Sequence, residues 1–226
     1  MSQTISEIRN NAPGSIGSEA PRVYLAGPMV FAPEPSAIFA RMKELCREFA
    51  LIGVAPLDNQ LGLEHLLPGK QLLEQIVIAD MALMDRLDAG IFCLDGFRRG
   101  PEMDPGTAFE VGYMKALGKP LAGWTTDTRE YPDRVAGFFR DVFGENLTPA
   151  LAGAVGGTSG LLRDPDGILV HSERCVQNAM VHVGIELTGG AVVADRDWER
   201  AFRGALGSIA ARVPRVRDPA RSSANG

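Results

Sequence analysis

Residues 88–120 read DAGIFCLDGFRRGPEMDPGTAFEVGYMKALGKP, and their order decides the fold. Ala89 to Leu94 is a short, unbroken apolar run, the pattern of a strand covered on both faces. A polar loop follows. Asp104-Pro105 then forms a helix start, with aspartate as N-cap and proline at the first helical position. The spacing predicts a helix from Asp104 to Leu117, ended by Gly118. A strand that leads through a loop into a helix is half of a βαβ unit, and such units build parallel sheets.

The alternation continues on both sides. Val23-Tyr24-Leu25-Ala26 is a strand run that ends at Gly27-Pro28. Pro35 to Ala50 spaces Ile38, Phe39, Met42, Leu45, Cys46 and Phe49 by threes and fours, which marks one face of a helix. Leu51 to Leu57 reads as a strand, Pro68 to Leu87 as a helix and Pro120 to Trp124 as a strand. Later come a helix over Ser172 to Thr188, a strand at Ala191 to Val193 and a helix from Trp198 to Val213. The expected fold class is α/β with a central parallel sheet. One domain spans 21–212, and the tails 1–20 and 213–226 are expected to be loose. The Gly-rich stretch 144–167 has no period and is expected to be a flexible surface insertion.

Composition narrows the function. The 226 residues are 45% hydrophobic and 23% charged, with a net charge of −5, which suits a globular domain with its own core. The acidic balance argues against nucleic acid as the main partner, because phosphate contacts need a basic face. Cys46, Cys93 and Cys175 are odd in number and form no CxxC pair, so neither a disulfide framework nor a zinc site is expected. The N-terminal stretch lacks the apolar segment of a secretory signal, and no apolar run reaches the ~18 residues that a membrane span needs. A soluble, cytoplasmic protein without membrane contact is the expectation. His65, His171 and His182 show no metal-ligand spacing, and no phosphate-loop motif follows Gly27, so neither metal nor cofactor is expected.

Parallel sheets bind ligands at the carboxyl ends of their strands. The loops after Ala26, Leu94 and Trp124 are therefore the candidate site. Two carboxylates stand out. Glu110 lies between Phe109 and Val111, near the core boundary, where a carboxylate is costly unless paired or used. Asp80 interrupts the apolar stretch QIVIADMALM. Asp104 and Glu110 are not stacked on one helical face, yet they can converge on a ligand if Asp104 projects from the cap. From spacing alone each also has a plain structural reading: Asp104 as a cap, Asp80 as a solvated helix residue. Arg98 and Arg99 are open to an anion contact or to solvation.

Three stretches together resemble the nucleoside 2-deoxyribosyltransferases: VYLAGPMVF (Val23–Phe31), IADMALMDRLDAGIFCLD (Ile78–Asp95) and GFRRGPEMDPGTAFEVGYMKALGKP (Gly96–Pro120). The resemblance implies a flavodoxin-like (Rossmann-like) three-layer sandwich. It also implies cleavage of the N-glycosidic bond of a 2′-deoxynucleoside and passage of the deoxyribose to another base, through a covalent glutamyl intermediate and without a cofactor. The family's nucleophile falls on Glu110, and its aspartates fall on Asp80 and Asp104. Its asparagine, supplied by a neighbouring subunit, falls on Asn178. Tyr24, Gly27 and Phe31 fall on the first strand and loop that line the substrate. The implied partners are nucleosides, free nucleobases and further copies of the chain. Two other readings stand beside this one. The same scaffold can serve a nucleoside or nucleotide N-glycosidase with water as acceptor. It can also serve a non-catalytic binder in which Glu110 holds a sugar hydroxyl.

Overall fold

The structure is a computed structural model, and it describes residues 20–59, 68–150 and 161–213. Five parallel strands form the central sheet: β1 (Arg22–Ala26), β2 (Ile52–Val54), β3 (Ala89–Cys93), β4 (Leu121–Thr125) and β8 (Val192–Ala194). Their spatial order, β2-β1-β3-β4-β8, is that of a flavodoxin-like doubly wound sheet. The register runs Tyr24 beside Gly90, Ile91 beside Ala122 and Trp124 beside Val193. Every residue of β3 and β4 is buried, which is why both read as unbroken apolar runs.

Helices cover both faces. α1 (Pro35–Glu48) and α6 (Trp198–Ala210) pack Phe39, Met42, Leu45, Phe202, Leu206 and Ile209 against one side. α2 (Lys70–Arg86), α3 (Pro105–Ala116) and α5 (Ala179–Glu186) pack Leu83, Met84, Val111, Met114 and Ile185 against the other. Each fully buried aliphatic or aromatic side chain here contributes roughly 1.5–3 kcal/mol. The three-layer α/β architecture agrees with the sequence reading.

Several elements differ from that reading. The run Leu51–Leu57 pairs only over Ile52–Val54 and then turns into a 3-10 segment, Pro56–Asn59. Pro56 has no N–H for the ladder, and the Asp58 carboxylate accepts the Ala55 amide at 2.9 Å. A helix that the sequence reading leaves out, α4 (Tyr131–Phe143), follows β4 and ends on Gly144 at φ 71°, a left-handed position suited to glycine. The 144–167 stretch is not wholly structureless. β5 (Thr148–Pro149), β6 (Leu162–Arg163) and β7 (Leu169–Val170) form a small antiparallel sheet, while 151–160 lie outside the described residues. The helix expected over Ser172–Thr188 spans only Ala179–Glu186, because Asn178 caps it and the residues before it run through turns and bends. Val213, expected to open the C-terminal tail, is buried in the core beside α6. The expected tails otherwise fall on 1–19 and 214–226, outside the described residues.

No helix among the described residues is long and apolar enough to cross a membrane.

Candidate active site

Strand order reverses between β1 and β3, so the chain leaves their carboxyl ends in opposite directions and opens a crevice there. A cavity of about 420 Å³ occupies it. Gly27, Val30 and Phe31 line it after β1, Asp80, Met81 and Met84 from α2, and Asp104, Thr107, Phe109 and Glu110 from the start of α3. The crevice approaches the backbone closely at Gly27. A Cβ there would lie 2.5 Å from Cys93 Cβ, at a φ of 154° that side chains rarely adopt.

Three carboxylates meet in this cavity. Asp104 is the N-cap of α3, and its Oδ2 accepts the Thr107 amide at 2.8 Å and the Thr107 hydroxyl at 2.9 Å. Both bonds fall on one oxygen, so Asp104 caps the helix and still faces the cavity. Glu110 sits six residues further on, and its Oε1 accepts the hydroxyl of fully buried Tyr24 at 2.6 Å. Asp80 enters from α2, and its Oδ1 is buried without a partner among the described residues.

Burial pushes the Glu110 carboxyl up to about 7; the Tyr24 hydrogen bond pulls it down, and the charges of Asp80 and Asp104 push it further up. Burial likewise pushes Asp80 up to about 6. Burial and the neighbouring Glu110 charge raise the Tyr24 hydroxyl far out of the physiological range, so it stays a neutral donor. The site therefore holds one carboxylate that ionises near neutrality and a second that carries its proton in mild acid.

The Glu110 shift has a stability consequence. Its folded value lies above its unfolded one, so the favourable contribution is complete below about 4.5 and is lost as pH rises through about 7. Glu110→Gln removes that loss. The variant is expected to gain on the order of 2–3 kcal/mol over wild type between pH 4.5 and 8, read from denaturant unfolding at each pH. A stability difference that does not change with pH would contradict the shift.

The other site residues separate. Phe31 lines the cavity, is 64% exposed, and packs at 5.5 Å on Phe97, whose ring carries the Arg98 guanidinium at 4.7 Å. Asn178 is not among the cavity-lining residues; its Oδ1 caps α5 by accepting the Met180 amide at 2.9 Å. Asp85 holds the Tyr113 hydroxyl at 2.8 Å, and Asp88 accepts the Arg22 amide at 2.7 Å. Both are structural. The Tyr24–Glu110 bond was not legible in the sequence, since its partners lie 86 residues apart. No His/Cys/Asp/Glu cluster suited to a metal occurs among the described residues, and His65 falls outside them.

The family model described as nucleoside 2-deoxyribosyltransferase matches residues 23–180, which contain every residue of this cavity. The chain belongs to the nucleoside 2-deoxyribosyltransferase family. The chain is similar to an uncharacterized Schizosaccharomyces pombe protein, C191.05c, 47% identical over 195 residues that cover 86% of this chain and 91% of that protein. The solved 2-desoxiribosyltransferase from Leishmania mexicana is 25% identical, with a TM-score of 0.54 over 83% of this chain and 97% of that one. A conserved Enterococcus faecalis protein shares the fold at 19% identity and a TM-score of 0.51, over 83% of this chain and 98% of that one. The fold and the enzyme type are thus those of the nucleoside 2-deoxyribosyltransferases.

Proposed function

We propose that the protein transfers 2-deoxyribose between nucleobases, with Glu110 as nucleophile. The observation that carries this reading is the Tyr24–Glu110 hydrogen bond in a cavity shared with Asp80 and Asp104. Tyr24 occupies Oε1, which leaves Oε2 to bond the anomeric carbon. As the Oε2–C1′ bond forms, the C1′–N bond breaks and its electron pair leaves with the base. The pair Asp80 and Glu110 shares one proton between about pH 6 and 7, and the form with that proton on Asp80 and Glu110 ionised gives the departing base its proton. The incoming base then attacks C1′, the C1′–O bond breaks back to Glu110, and the proton returns to Asp80. Two displacements retain configuration. Asp104, with one oxygen spent on Thr107, offers the other to a sugar hydroxyl.

The cavity lining supports a nucleoside over a nucleotide as substrate. It carries three carboxylates and, among the described residues, no lysine or arginine to meet a phosphate. Its apolar walls, among them Phe31, Leu73, Val77 and Phe109, suit the flat face of a base. Incubation with deoxyinosine and free adenine tests the reading. Deoxyadenosine as product upholds transfer. Free hypoxanthine without new nucleoside would make the protein a hydrolase, and binding without turnover would make it a receptor.

Tyr24→Phe separates the role of the hydrogen bond from that of the pocket. The bond lowers the Glu110 carboxyl, so its loss raises it. The profile of kcat/KM against pH, bounded near 6 and near 7 in wild type, is expected to have its upper limb moved up by roughly one unit and its maximum lowered. Activity then falls far more at pH 6 than at pH 9. An unmoved limb would detach Tyr24 from the ionisation of Glu110.

A further inference from the structure

The segment 172–178, between β7 and α5, is a strap rather than a helix, and it is held under strain. Ser172 (φ 84°) and Arg174 (φ 62°) are left-handed without being glycine. Non-glycine residues keep that conformation where the surrounding contacts hold them, and such positions gather at functional sites. The strap is tied to the start of α4: the Tyr131 amide donates to the Cys175 carbonyl at 2.6 Å, and the Arg174 amide donates to Glu130 Oε2 at 2.8 Å.

Gln177 takes no part in these ties. Gln177 is fully buried. Its Nε2 donates to the Pro101 carbonyl at 3.1 Å and to the Leu94 carbonyl at 3.4 Å, while its Oε1 accepts the Asn178 amide at 3.1 Å. Leu94 follows the end of β3, and Pro101 lies three residues ahead of Asp104. Gln177 thus bridges the two ends of the loop that delivers Asp104 and α3 to the cavity, without lining the cavity itself. Buried Arg134, from α4, donates to the same Leu94 carbonyl at 3.1 Å, and the Tyr131 hydroxyl holds Glu102, next to Pro101.

We propose that Gln177 is a positioning residue: by clamping the Leu94 and Pro101 carbonyls it fixes the start of α3, and with it Asp104 and Glu110, against Tyr24 and Asp80 across the cavity. The rate effect rests on the transfer reading above; the placement of α3 does not. Glu110 is faced by Tyr24 from β1, Asp80 from α2 and Asp104 from the cap of its own helix. A loop released at Pro101 lets the start of α3 shift against Tyr24 and Asp80, and the ionisation of Glu110 shifts with it. Lost folding alone would lower the amount of active protein and leave the ionisation of the folded fraction where it was.

Gln177→Met in the full chain tests this, because it keeps the length and loses the paired amide hydrogens. The measurements are deoxyinosine-to-adenine transfer across pH, and the Glu110 carboxyl ¹³C titration, identified by its absence in Glu110→Gln. Transfer is expected to slow about 100-fold with KM little changed, as a displacement outside the chemistry can do. The titration midpoint is expected to move away from that of wild type. A wild-type midpoint overturns the proposal, whether transfer is unchanged or falls only with the folded fraction. If wild type itself moves no deoxyribose, the transfer reading fails and the carboxyl midpoint alone decides the role of Gln177. Should Gln177→Met not fold, Gln177→Asn, which stays neutral and shortens the reach to Pro101, is put through the same two measurements.

Discussion

Glu110→Ala is expected to abolish deoxyribose transfer, by about 10⁴-fold or more, in a protein that still folds. The size follows from the chemistry. The carboxylate forms and breaks the bond to C1′, and no other carboxylate in the cavity shares its hydrogen bond to Tyr24. Asp80 enters from a different helix and Asp104 is committed to the cap of α3, so neither stands in for it. The fold survives because Glu110 makes no ion pair among the described residues, and its one side-chain partner, Tyr24, stays packed in the core. Deoxyinosine and adenine turned over by the purified variant, followed by chromatography, give the readout. Turnover near the wild-type rate would remove Glu110 from the mechanism.

Asp104 carries the second large effect, and two substitutions divide its roles. Asp104→Ala removes both the helix cap and the carboxylate. It is expected to cost about 1 kcal/mol of stability and to lose about 10²-fold or more in kcat/KM. Asp104→Asn keeps an oxygen for the Thr107 amide and hydroxyl, so Tm stays close to wild type while the loss in kcat/KM persists. Thermal unfolding and transfer kinetics on the same two preparations check this. An asparagine variant as fast as wild type would reduce Asp104 to a cap.

What the sequence revealed followed from local rules. β3, β4 and the Asp104-Pro105 helix start are set by burial on both faces and by capping, so their residues spell them out. The small sheet around 148–170 has strands of two residues, too short to carry a period. α4 was legible in principle, with proline in its first turn, Phe138, Phe139 and Phe143 spaced along it and Gly144 behind it. The strap 172–178 departs from the expected helix because left-handed Ser172 and Arg174 turn the chain through bends before Asn178 opens α5. The convergence of Asp80, Asp104 and Glu110 on one cavity depends on strand order, and the Gln177 clamp spans 76 residues to Pro101. Neither leaves a local trace. Asn178, on which the resemblance places an asparagine supplied by a neighbouring subunit, caps α5 within this chain, and its neighbour Gln177 reaches the loop ahead of α3.

The most direct test is to quench the enzyme with a slow deoxynucleoside substrate in the absence of an acceptor base and to map the modified peptide by mass spectrometry. A deoxyribosyl adduct on Glu110, lost when adenine is added before the quench, is the expected result. An adduct on any other residue, or turnover that proceeds with no adduct under conditions that hold the intermediate, would contradict nucleophilic catalysis by Glu110.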